Sequence, residues 1–217
     1  MKYKNIIFDF DGTLADTAEL TVETMRRTNR VMNLPDKSDE ECKAMIGYRL
    51  EEIPSILWPG IPLSAELYAA TFREIYKSVK NSFIVRTFPR VLDTLADLKR
   101  NGIRMAVASS HSKTSLTELC NELLISGYLR MVVGRGDVIQ GKPAPDPVNL
   151  VLATQGWDKT ETLVVGDMNV DILMGKAAGT ATCGVTYGNG TGAELKDAGA
   201  DYIITEFPRI VGIIGQF

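Results

Sequence analysis

Cysteine is scarce in this 217-residue chain: Cys42, Cys120 and Cys183 lie far apart, and no two share a C-x-x-C spacing. That excludes a zinc knuckle and a disulfide framework, and it fits a reducing compartment. Positive charge is not in excess either. The 24 Lys and Arg against 27 Asp and Glu leave a net charge of -3 with no basic stripe, so nucleic acid is not an expected partner. Apolar runs stay short, and none is long enough to span a membrane. The opening Ile6-Ile7-Phe8-Asp9-Phe10-Asp11 reaches two aspartates before a signal-peptide core can form, so a cytoplasmic protein is expected. Internal repeats, low-complexity tracts and long charge runs are absent as well.

What is present is the composition of an ordinary globular protein, 45% hydrophobic and 24% charged. The length suffices for a core with a smaller inserted domain. Short β-branched runs at residues 5–10, 104–108, 131–134, 162–165, 182–185 and 201–204 lack polar alternation, as strands covered on both faces do. Helical patterns lie between them. Pro89 opens one, with Val91, Leu92, Leu95 and Leu98 facing inward and Gly102 as its stop. Ser112 is placed to cap a second, with Leu116, Leu119, Cys120, Leu123 and Leu124 on its apolar face. Asp146-Pro147 starts a third, which buries Val148, Val151 and Leu152. This alternation predicts an α/β fold, a doubly wound, Rossmann-like parallel sheet with right-handed crossovers. Residues 16–82 break the pattern. They carry helical faces (Ala18, Val22, Met25, Met32; Tyr68, Phe72, Ile75, Val79) and no convincing strand. The expected organisation is a core of residues 1–15 and 83–217 with a helical domain, 16–82, inserted after the first strand.

Four places carry chemistry. If residues 5–10 are extended, Asp9 and Asp11 point to one side and the flanking phenylalanines to the other. Alone, Asp9-Phe10-Asp11-Gly12 is equally a strand closing on an Asp-Gly turn. At Ser109-Ser110 a strand ends on two hydroxyls before a helix, a setting that suits a phosphate and also suits a plain N-cap. Lys142 sits in the proline-stiffened run Gly141-Lys142-Pro143-Ala144-Pro145, as a solvated loop lysine or as a pre-ordered point charge. In Gly166-Asp167-Met168-Asn169-Val170-Asp171 the two aspartates follow another strand and are placed either to cap the next helix or to join a site.

The set decides what no member does. Each group lies at the carboxyl end of a different predicted strand, and in a parallel sheet those ends lie together. Asp9, Asp11, Asp167 and Asp171 would then face one cation, Lys142. So acidic a pocket repels a phosphate and strains its own carboxylates. A hard divalent cation with oxygen ligands resolves both problems, and beside phosphate Mg2+ is the common choice.

With these residues the chain resembles the haloacid dehalogenase superfamily of phosphotransferases. All four motifs stand in order: Asp9-Phe10-Asp11-Gly12-Thr13, Ser109, Lys142, and Gly166-Asp167 with Asp171. The resemblance implies Asp9 as nucleophile towards phosphorus and Asp11 as general acid and then base. It implies Mg2+ held by Asp9, the Asp11 carbonyl and Asp167, with Asp171 orienting a metal water or Lys142. Ser109 and Lys142 would grip the phosphoryl oxygens, with Ser110, Gly12 and Thr13 beside them. Relatives that cleave carbon–halogen or phosphonate bonds characteristically lack an acid at the Asp11 position, so Asp11 favours phosphate esters. The inserted stretch resembles the family's small cap, with Gly47-Tyr48-Arg49 as its specificity loop and Arg49 a candidate for a second anionic group.

The C-terminal half resembles the phosphoglycolate phosphatase subgroup through Ala177-Ala178-Gly179, Val185-Thr186-Tyr187-Gly188 and Ala198-Gly199-Ala200-Asp201-Tyr202. Pyrophosphatases and sugar or nucleotide phosphatases share that half. A β-phosphoglucomutase is the rival reading, carried by Asp16-Thr17-Ala18-Glu19. That enzyme has a histidine where this chain has Thr21, and the one histidine here, His111, is read as an exposed or phosphate-facing loop residue of no assigned role. The expected partner is a small phosphorylated metabolite, on a monomer or a dimer.

Overall fold

The computed structural model describes residues 2–215, which divide into two compact units. Residues up to Asp16, with those from Arg86 onward, form the first; Thr17–Val85 form the second. The first holds strands β1 (Asn5–Phe8), β2 (Ala15–Asp16), β3 (Arg86–Thr87), β4 (Arg104–Ser112), β5 (Leu129–Arg135), β6 (Thr162–Gly166), β7 (Ala181–Val185) and β8 (Tyr202–Ile204). Six of them make a parallel sheet in the order β5-β4-β1-β6-β7-β8. The short β2 and β3 pair antiparallel where the chain leaves this unit and returns to it. From β1 the chain winds outward through β4 to β5, then crosses back to β6 and winds the other way. The reversal falls between β1 and β6, where open α/β sheets bind ligands at the strands' carboxyl ends.

All four residues of β1 are buried, because apolar groups cover both faces of the sheet. On one face Ile7, Ala106, Val133 and Val164 pack with Val148, Val151 and Met174 from helices Asp146–Gln155 and Asn169–Ala178. On the other, the Phe8 ring lies 5.5 Å from that of Phe207. Asn5 ties the strand starts together: its amide donates to Thr162 Oγ1 at 3.1 Å and its Oδ1 accepts from Arg104 Nε at 2.7 Å.

The sequence-based expectations need three corrections. The first strand ends at Phe8 instead of residue 10, because Leu14 and Ala15 N–H both close a turn onto the Phe10 carbonyl at 2.9 Å. Strand β4 runs on to Ser112 with a register shift against β5 after Ala108, so Ser109 and Ser110 precede the helix start by several residues. That helix is Lys113–Glu122, capped as expected by Ser112 Oγ accepting from the Ser115 N–H at 3.2 Å. Leu124 is 73% exposed instead of buried, since the helix ends before it and its φ of +58° turns it off the apolar face.

The second unit is built from helices Ala18–Val31, Asp39–Lys43, Ile53–Leu57 and Ala65–Val79, with no strand among its described residues. Ser38 and Ser64 start two of them, each accepting from a backbone N–H three residues on, at 3.2 Å. Val22, Met25, Cys42, Ile53, Trp58, Tyr68 and Phe72 form its own core. The Trp58 and Tyr68 rings lie 5.9 Å apart, and Trp58 Nε1 donates to the Pro35 carbonyl at 3.2 Å. Tyr68→Ala is expected to cost this unit ~3–5 kcal/mol. A thermal melt followed by tryptophan emission checks it; an unmoved transition would contradict the packing.

Candidate active site

The carboxyl ends of β1, β4 and β6 and the loop before helix Asp146–Gln155 bring Asp9, Asp11, Ser109, Lys142, Asp167 and Asp171 into the buried part of the first unit. Asp9 follows β1 and stays tied to it, its N–H donating to the Val165 carbonyl at 2.8 Å. Lys142 is only 3% exposed. Its ammonium donates to Asp9 Oδ1 and lies 2.6 Å from Asp171 Oδ1. A lysine this buried is stable only as a paired charge, so the plain solvated-loop reading of Lys142 fails.

Asp9, Asp167 and Asp171 each offer an oxygen within 4.8 Å of the others. Asp171 is held from behind: its Oδ2 accepts from the Met168 N–H at 3.0 Å, which caps helix Asn169–Ala178. Gly166 lets this carboxylate fold back, since a Cβ there would sit 2.2 Å from the Asp171 Cβ. Asp167 accepts at Oδ2 from the Asn189 N–H (2.7 Å) and side-chain amide (3.0 Å), and at Oδ1 from the Thr13 hydroxyl at 3.4 Å. Gly12, at φ +79°, gives the backbone room there; a Cβ would lie 2.0 Å from Asp167 Oδ2.

Asp11 is directed elsewhere. Its Oδ2 accepts from the Ser109 hydroxyl at 3.4 Å, and its Oδ1 lies 3.0 Å from His111 Nε2. The two carboxylates of Asp9-Phe10-Asp11 thus have different neighbours, and the Asp11 carboxylate stands outside the cluster of three. Only its main-chain oxygen is left as the expected metal contact. Ser110 is half-buried at the end of β4. Gly47 and Arg49 belong to the second unit, where Gly47 turns the chain at φ +98° and the Arg49 N–H donates to Glu52 Oε2 at 3.3 Å.

The electrostatics follow from this crowding. Burial pushes the Asp9 carboxyl up to about 7, and Asp171 and Asp11 add to the rise against the opposing pull of Lys142. Asp167 is pushed well above the usual carboxylate range by burial and then by Asp9 and Asp171, with the Asn189 N–H resisting. Burial works against the Lys142 ammonium, yet Asp171 and Asp9 outweigh it and hold the charge more firmly than in water. Three buried carboxylates with one ammonium are short of positive charge. An all-oxygen donor set in that condition fits a hard divalent cation.

Sequence reasoning missed three contributors: Asn189 against Asp167, Tyr187 donating its hydroxyl to the Thr13 carbonyl at 2.9 Å, and His111 against Asp11. Tyr187-Gly188-Asn189-Gly190 does follow a strand's carboxyl end, as the recognised groups do, and that was its available signal. His111, expected as an exposed or phosphate-facing loop residue of no assigned role, instead lies half-buried in β4 and packs its ring edge-on to Phe10 at 6.1 Å.

Comparisons with known proteins bear on the family and the fold. The phosphoglycolate phosphatase of Photorhabdus laumondii is 32% identical over 215 residues, covering 97% of this chain and 92% of its own length. The pyrophosphatase PpaX of Oceanobacillus iheyensis is 30% identical over 216 residues, covering 100% and 99%. In fold, the structure of a predicted phosphatase from Clostridium acetobutylicum superimposes with a TM-score of 0.91 over the whole of both chains at 22% identity. The family model for haloacid dehalogenase-like hydrolases matches residues 6–185, from within β1 to the end of β7, and the chain belongs to that family.

Proposed function

We propose that this protein hydrolyses a small phosphomonoester through an aspartyl-phosphate intermediate, with Mg2+ as its cofactor. The observation that carries the reading is the division of labour between Asp9 and Asp11. Asp9 lies among Lys142, Asp167 and Asp171, whereas Asp11 lies between Ser109 and His111. Paired carboxylates in contrasting surroundings are the arrangement for a nucleophile and a proton carrier.

In the first step an Asp9 oxygen attacks phosphorus and the ester P–O bond breaks, the departing alkoxide taking the proton of Asp11. In the second, water attacks the same phosphorus and gives its proton to Asp11. The bond to Asp9 then breaks, which releases phosphate and restores both carboxyl groups. Lys142 and Ser109 hold the phosphoryl oxygens, and Lys142 supplies fixed positive charge without reorganising. Gly12, Thr13 and Ser110 shape the loops around it. Asp9, Asp167 and the Asp11 main-chain oxygen would hold Mg2+, with Asp171 keeping Lys142 in place. When bound, the ion offsets the surplus negative charge of the cluster and of the phosphoryl group. Residues 16–82 serve as the cap that selects substrate, with Gly47 and Arg49 as the loop meeting a second anionic group. The relatives from Photorhabdus and Oceanobacillus support 2-phosphoglycolate as first candidate and pyrophosphate as second.

Phosphate release from 2-phosphoglycolate, pyrophosphate, sugar phosphates and nucleoside monophosphates, with Mg2+ and again with EDTA, tests this reading. Release is expected to need the metal and to fall on the order of 10³-fold or more in Asp9→Asn, which folds normally but has no anionic nucleophile. Wild-type-like turnover by Asp9→Asn would sink the covalent route. Isomerisation of β-glucose 1-phosphate without phosphate release would make the chain a mutase despite Thr21.

Stability against pH gives an independent check. The folded-state carboxyl of Asp9 is raised from 3.8 to about 7, so between those values the folded chain binds more protons than the unfolded one. Metal-free stability therefore falls as pH rises through that window. His111, also raised, contributes stability below its unfolded value that is lost as pH climbs, in the same direction. A cation in place of the proton reverses the Asp9 contribution. The Mg2+-induced rise in Tm is expected to be larger at about pH 7.5 than at about pH 5.5; equal shifts would contradict the assignment of Asp9 to the metal.

A further inference from the structure

We infer that His111 is a positioning residue for proton transfer: it fixes the Asp11 carboxyl so that Oδ2 is the oxygen that hands the proton to the leaving group. The inference rests on the phosphatase reading above and adds a residue that the four motifs do not include.

The geometry is specific. His111 Nε2 lies 3.0 Å from Asp11 Oδ1, while Oδ2 faces the Ser109 hydroxyl at 3.4 Å. Two further contacts hold the imidazole's backbone and ring. The His111 N–H donates to Ser109 Oγ at 3.2 Å, and its ring stands edge-on to Phe10 at 6.1 Å with an interplanar angle of 88°. The histidine is thus braced by the residue just before Asp11 and by the serine that shares Asp11. Its side chain is 21% exposed against 10% for Asp11, so it occupies the outer flank of that carboxyl.

A carboxylate has two equivalent oxygens on which its proton can reside, and only one of them can face a leaving group. With the Nε2–H donating to Oδ1 at 3.0 Å, that oxygen is held as the acceptor and the acid proton resides on Oδ2, where the longer 3.4 Å contact from the Ser109 hydroxyl competes less for it and the phosphoryl group lies beside it. Without the donor the carboxyl rotates about its Cβ–Cγ bond and the proton is distributed over both oxygens. The chemical step is unchanged: the O–H bond of Asp11 breaks, the proton passes to the ester oxygen, and that oxygen's bond to phosphorus breaks. His111 gains and loses nothing.

A group that aids protonation of the leaving oxygen matters most when that oxygen is strongly basic. Two variants separate the hydrogen bond from the packing. His111→Phe keeps a ring against Phe10 and has no donor; His111→Gln loses the ring and keeps an amide donor near the Nε2 position. The measurement is kcat/KM for p-nitrophenyl phosphate, phenyl phosphate and 2-phosphoglycolate, which rise in leaving-group basicity in that order, for wild type, both variants and Asp11→Asn, with thermal melts. His111→Phe is expected to lose roughly 10-fold on phenyl phosphate and less than about 3-fold on p-nitrophenyl phosphate, a part of the ~10²–10⁴-fold that a general acid itself contributes. His111→Gln is expected to recover most of the loss, and Asp11→Asn to show the same leaning more strongly. An equal loss on both aryl esters, or no loss, in His111→Phe while Asp11→Asn discriminates would overturn the role of His111 and leave the phosphatase reading standing. Full activity of Asp9→Asn on the same substrates would instead remove that reading.

Discussion

The site depends on the burial of one ammonium group between carboxylates. Lys142 reaches Asp9 and Asp171 from the loop between β5 and helix Asp146–Gln155, and without it those two carboxylates would stand together in a dry site with nothing to balance them. The surrounding structure serves that contact. Gly166 admits the Asp171 side chain, the Met168 N–H holds its other oxygen, and β6 fixes Asp9 through the Val165 carbonyl. The attraction does not neutralise the group. Three carboxylates against one ammonium keep Asp9 and Asp167 reluctant to ionise, and that reluctance is what makes the pocket receptive to a further cation.

Around this contact the sheet separates the tasks of its strand ends. β1 carries both carboxylates of Asp9-Phe10-Asp11, but the turn closed on the Phe10 carbonyl sends them to different partners. The end of β4 reaches Asp11 through Ser109 and His111, and the end of β6 supplies Asp167 and Asp171. The loop after β7 closes the group with Asn189 on Asp167. A reversal of winding direction at β1 and β6 is what leaves these ends convergent.

Much of this was legible in the chain. All six sheet strands coincide with β-branched runs, because strands covered on both faces leave an uninterrupted apolar signature. Asp9, Lys142, Asp167 and Asp171 were legible only as a set, because each follows the end of a different run or the loop after it, while each alone reads equally as a turn, a helix cap or a loop lysine. The ends of strands were less readable. Nothing in Phe8-Asp9-Phe10 says that a turn hydrogen bond will outcompete the ladder, and nothing in Ser109-Ser110-His111-Ser112 says that the strand will run on irregularly to its cap. Leu124 misled because apolarity was read without the left-handed residue that ends the helix's periodicity. His111 and Asn189 escaped for another reason: each acts through a hydrogen bond to a residue far away in sequence, and a place at a strand's end does not by itself name that partner.

The place of β1 in the sheet has a consequence for how the molecule is made. Asn5 bonds to Arg104 and Thr162, partners 99 and 157 residues further along, so the strand that carries Asp9 is synthesised long before either neighbour exists. On the ribosome that apolar strand waits with both edges unpaired while Thr17–Val85, whose core is drawn from its own residues, can fold ahead of it. High sequence separation makes closure of the sheet a slow, late event. The strand that carries Asp9 is therefore translated before its sheet neighbours and enclosed only after them, and a chain cut short before β6 would have every residue of β1 and no site.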